Sequence, residues 1–91
     1  MSDLAQGIAN YGTEIVVDKP IRGGRTVIFK GTAPVLGEMS LGNRDAWRQL
    51  IADNDPKDGS AIYIRLTLRT TGNGEIHVMT PAQVARQLSN V

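Results

Sequence analysis

The chain has 91 residues, with 10 Lys and Arg against nine Asp and Glu, for a net charge of +1. That length predicts a single domain over residues 1–91, and the near-neutral balance argues against both a strongly basic nucleic-acid binder and an acidic mimic of nucleic acid. With zero cysteines and one histidine, a disulfide framework, a thiolate nucleophile, a Cys-ligated metal and a multi-histidine metal site are all excluded.

The hydrophobic share is 41% and the charged share 21%, an ordinary globular composition. Residues 1–7 carry neither a basic stretch nor a continuous apolar run, so a secretory signal is not expected. No window reaches the run of about 18 apolar residues that a membrane span requires. A soluble, intracellular chain without a membrane partner is the expectation.

In chain order, Ser2 as cap, Leu4, Ile8 and Tyr11 at helical spacing and Gly12 as stop predict a short first helix. Two β-branched runs follow, at 14–18 (Glu-Ile-Val-Val-Asp) and 25–30 (Arg-Thr-Val-Ile-Phe-Lys). Between them, Pro20 and the Gly23-Gly24 pair predict a turn over 19–24, giving an antiparallel hairpin. The stretch 31–42 reads as irregular, with Val35-Leu36 as a short edge strand. Asn43 or Ser40 then caps a helix whose apolar face is Ala46, Trp47, Leu50 and Ile51. Pro56 and Gly59 end it.

The strongest strand pattern is 60–69, where Ile62, Ile64, Leu66 and Leu68 alternate with Tyr63, Arg65, Thr67 and Arg69. Asn73-Gly74 predicts a second hairpin, returning over 75–79 with Ile76 and Val78 on the core side. Thr80, Pro81 and Gln83 form the signature of a capping box and open a last helix, with Val84, Ala85 and Leu88 as its apolar stripe. The order (α)ββαββα predicts an α+β, two-layer domain. Two hairpins join into an antiparallel sheet of about four strands, with two or three helices against one face. The expected core comprises Val16, Val27, Phe29, Trp47, Leu50, Ile51, Ile62, Ile64, Leu66, Leu68, Ile76, Val78, Val84 and Leu88.

Catalytic chemistry finds little to work with. His77 alternates with Ile76 and Val78 and reads as an outward-facing polar residue rather than a general base. Ser40 and Ser60 lack the Gly-x-Ser-x-Gly setting of an activated nucleophile. The run Asp53, Asp55, Asp58, Gly59 departs from calcium-loop spacing and reads as a helix-terminal turn. Gly23-Gly24 and Gly72-Asn73-Gly74 sit in hairpins rather than at strand-to-helix turns, so neither is a phosphate loop. No enzyme, no cofactor and no metal are expected.

Two features point to binding. Tyr63, Arg65, Thr67 and Arg69, with His77 beside them, occupy the non-core side of the best strand, and arginine is enriched at interfaces. Lys19, Arg22, Arg25 and Lys30 make the first hairpin basic, suited to electrostatic steering. The expected function is a non-enzymatic protein-protein interaction module, such as a small accessory or virus-encoded (phage) inhibitor. The alternatives are a nucleic-acid binder using the hairpin and the arginine face, or a self-assembling virion or shell subunit. A homo-oligomer is compatible with each.

Overall fold

A computed structural model describes residues 12–89 of the chain. The expected first helix, with Ser2, Leu4, Ile8 and Tyr11, lies outside the described residues. Four strands, β1 (Glu14–Ile21), β2 (Gly24–Gly31), β3 (Ile62–Arg69) and β4 (Gly74–Met79), pair antiparallel in the order β1-β2-β3-β4. Among the described residues three helices accompany them: α1 (Ala33–Gly37), α2 (Arg44–Asp53) and α3 (Pro81–Ser89). The domain is α+β, with the order ββαββα over its longer elements.

The first hairpin closes more tightly than the Pro and Gly residues suggest. Ile21 pairs with Gly24, so Arg22 and Gly23 alone form the loop, and Gly23 takes a φ of 79°. Pro20 stays within β1, which is tolerated because β1 is an edge strand. The β1–β2 register slips between Ile15 and Val17, leaving Val16 as a bulge. Gly24 is required by close approach: any Cβ there would meet the backbone carbonyl of Leu68.

One stretch corrects the sequence reading. Val35 and Leu36, expected in an edge strand, belong to the five-residue helix α1, with Pro34 in its first turn. Leu36 is fully buried there. Burial against α2 decides the conformation, overriding the β preference of Val35.

Helices lie on both sides of the sheet, not on one. Beneath the first face, Val27, Phe29, Ile62, Ile64 and Leu66 pack with Leu36, Met39, Trp47 and Ile51 from the α1–α2 region. On the second face, Val84 of α3 packs with Ile28 and Met79, flanked by Val16, Val17 and Tyr63. This division explains why four consecutive β2 residues, Thr26 to Phe29, are buried: β2 is covered on both faces. Ile28, Leu36, Met39 and Met79 thus join the core unforeseen, while Val16, Leu50, Leu68, Ile76 and Val78 are half-buried. Leu88, expected inside, is 46% exposed. Among the described residues, no helix is long and apolar enough to cross a membrane.

Candidate binding face of the sheet

Strand pairing sets out the second face row by row. Arg65 stands between Ile28 and His77, and Thr67 between Thr26 and Glu75. Lys19 extends the threonine row on β1, and Arg69 lies beyond it opposite Gly24. Tyr63 begins the strand between Lys30 and Met79. Alternation therefore brings all five expected binding residues, Tyr63, Arg65, Thr67, Arg69 and His77, onto one face.

They are not equally open. Thr67 and Thr26, neighbours across two strands, are buried at 7% and 8% exposure. Arg65 is half-buried, because α3 crosses the sheet beside it. A groove of about 270 Å³ is lined by Arg65 together with Gln83, Arg86 and Gln87. The Nε of Arg65 is buried and has no hydrogen-bond partner. An unmet buried donor is costly to the fold. Arg69 remains exposed at the open end.

A second groove, of about 290 Å³, continues from the first along the sheet and has Lys19, Arg65, Arg69 and Glu75 in its lining. Glu75 is shared: its Oε2 lies 3.7 Å from Arg69 Nη2 and 3.6 Å from His77 Nε2. These are loose, exposed pairs of small energetic value. Lys19, Arg65 and Arg86 have no ion-pair partner among the described residues. Among the described residues, Glu75 is the one acidic side chain lining these two grooves.

The basic hairpin divides. Arg25 Nε sits 2.6 Å from Asp18 Oδ1, tied down on the first face of the sheet. Lys30 Nζ lies 3.2 Å from Glu14 Oε2 and 6.0 Å from the Tyr63 ring centroid. The hydrogen bond that Lys30 donates to Glu14, reinforced by the Glu14 charge, raises the Lys30 pKa above its ordinary value. Arg22 is exposed in the tight loop, and Lys19 alone of the four lines the groove. The contribution of α3 went unread in the sequence. Gln83, Arg86 and Gln87 recur at helical spacing, but nothing in their types says which face of the sheet they meet.

The acidic loop after α2 carries its own hydrogen bonds. Asp55 Oδ1 accepts the Lys57 N–H at 2.8 Å and Asp58 Oδ1 the Ser60 N–H at 2.9 Å, folding the loop after α2. Among the described residues no group of three or more His, Asp or Glu side chains is placed to hold a metal. Searches of protein families, curated proteins and solved structures find no match to this chain.

Proposed function

We propose that this chain is a non-enzymatic interaction module that binds an acidic protein segment through the arginine-bearing face of its sheet. One observation carries the reading: Lys19, Arg65 and Arg69 line a single groove against one carboxylate, Glu75. Arginine on a rigid strand presents a planar donor set matched to carboxylates, and packing beneath α3 reduces the entropy lost on binding. The groove is open and shallow, which suits an extended side-chain-bearing chain more than an enclosed small molecule. Tyr63 is the one aromatic on β3, half-buried beside Lys30. A nucleic-acid reader working on a sheet face would place a row of stacking aromatics there.

The test is a two-dimensional NMR titration of the labelled protein with a glutamate-rich peptide and, separately, with mixed-sequence single-stranded DNA. The proposal expects saturable shifts at Arg65, Thr67, Arg69, His77 and Gln87 with the peptide, lost in Arg65→Ala/Arg69→Ala. Tighter binding of the DNA, with a steep salt dependence, would favour the nucleic-acid reading instead.

A further inference from the structure

The two edges of the sheet are built differently. Along β1, Pro20 withholds an N–H and the Val16 bulge interrupts the register, two devices that discourage a further strand from adding. Along β4 there is neither: six residues run in unbroken register with β3, contain no proline, and have no strand on their outer side among the described residues. The first face beside that edge is apolar and open. Two shallow grooves of about 300 and 320 Å³ meet at Leu41, Gly42 and Ile76.

We propose that β4 pairs antiparallel with β4 of a second copy of the chain, with Ile76 opposite Ile76. This joins two four-stranded sheets into one continuous sheet.

The argument for a second copy is self-complementarity in that register. On the polar face, Glu75 of each copy stands opposite His77 of the other, so two symmetric acid–histidine pairs form. On the apolar face, Ile76 meets its own counterpart, and Val78 of each copy stands opposite Gly74 of the other. Gly74 has no side chain, and a Cβ built there meets nothing closer than 3.5 Å, so the site has room for the valine. The Val78 methyl groups then lie beside Leu68 in the second apolar groove.

Other registers fit worse. A shift that sets Glu75 opposite Glu75 brings like charges together, and one that sets His77 opposite His77 places Glu75 against Met79. A slip of one residue turns the apolar face of one copy to the polar side of the other. In the proposed register the cationic grooves of both copies lie on the same side of the joined sheet.

The chain's lack of cysteine makes the register directly measurable. Directly opposed residues of an antiparallel pair have Cα atoms about 4.5–5.5 Å apart, within reach of a disulfide. Ile76→Cys should therefore give a disulfide-linked dimer under mild oxidation, while Asn73→Cys, displaced along the strand from its counterpart, should not. Sedimentation across a concentration series should show a reversible dimer, weakened about tenfold by His77→Asp, which sets two carboxylates opposite each other on each side of the axis. Adding Glu75→Lys to that variant should restore it. Glu75 and His77 are exposed, so these variants keep the fold, and circular dichroism checks it. A monomer at every concentration, equal cross-linking at 73 and 76, or a dimer indifferent to His77→Asp overturns the proposal.

Discussion

Trp47 donates its indole Nε1–H to the carbonyl oxygen of Leu36 at 2.8 Å, a buried bond that joins α2 to the short helix α1. Both residues are at or below 2% exposure, so neither group has water as an alternative partner. The bond also spans the loop of residues 38–43 and fixes where α1 stands against Phe29 and Ile64. Trp47→Ala removes the largest buried side chain and should cost about 3–5 kcal/mol. Trp47→Phe keeps most of the packing and leaves the Leu36 carbonyl with the Met39 N–H at 3.1 Å as its partner, so it should lose only the indole bond, about 0.5–1.5 kcal/mol. Urea denaturation of the two variants separates the packing contribution from the hydrogen bond.

Part of this arrangement could be read in the sequence, because its signals are local. Asn43 caps α2 by accepting the Ala46 N–H at 3.0 Å, and the alternation of Ile62 to Arg69 appears as a strand. Signals that depend on contacts distant in sequence were hidden. The five residues of α1 are too few to show a helical period, and Leu36 is held there by Trp47, eleven positions away. The same limit applies to the site. Alternation placed Arg65 and Arg69 on one face, but burial of Ile28 comes with Val84 of α3 packing on that face, and no local pattern encodes where the helix docks.

The capping box of α3 is reciprocal. Gln83 N–H donates to Thr80 Oγ1 at 3.1 Å and Thr80 N–H to Gln83 Oε1 at 2.9 Å. Thr80→Ala should destabilise by about 1 kcal/mol. Because α3 meets the sheet mainly through Val84, fraying of its first turn should loosen the wall beside Arg65 before the sheet melts. Amide hydrogen exchange in Thr80→Ala should therefore rise at residues 83–87 while β2 and β3 amides keep their protection.

Gly24 carries a steric demand that its position at a hairpin does not by itself reveal. A Cβ there would press on the backbone carbonyl of Leu68, and backbone cannot rotate aside as a flexible side chain can. Gly24→Ala should cost about 1–3 kcal/mol, with the damage confined to the β2–β3 end that carries Arg69. Gly37→Ala, where an added Cβ meets nothing within 4 Å, is the control expected to leave the melting temperature unchanged or slightly raised.

Asp58 gives the loop after α2 a dependence on acid. The Ser60 side-chain hydroxyl, then its N–H, holds the Asp58 carboxyl below the ordinary value of 3.8. A carboxyl whose folded pKa is depressed adds stability above its unfolded pKa and loses that contribution as pH falls through the folded value. The contribution should thus be full at neutral pH and fade only below about pH 4. Ser60→Ala should move the Asp58 titration, followed by carboxyl-carbon NMR, back toward 3.8. An unmoved titration would assign the depression to the backbone N–H alone.

The groove charges differ in how they are held, and this difference should appear in binding kinetics. Arg65 is half-buried beside α3 with its Nε enclosed, so its guanidinium should be partly ordered before a partner arrives. Lys19, by contrast, projects from an edge strand on a long flexible stem. Truncating an ordered charge that forms hydrogen bonds at an interface mainly accelerates dissociation, whereas truncating a rim charge mainly alters association and its salt dependence. For a glutamate-rich peptide, Arg65→Ala should raise the dissociation rate by about tenfold or more, and Lys19→Ala should slow association with dissociation nearly unchanged. Arg69 offers an internal comparison. It lies on the same strand but is exposed and already 3.7 Å from Glu75, so Arg69→Ala should have the smaller effect on dissociation. Glu75→Gln removes the competing carboxylate and should tighten the peptide. Surface plasmon resonance on the four variants resolves these rates. Equal effects of Arg65→Ala and Lys19→Ala on dissociation would show that α3 does not pre-order the arginine.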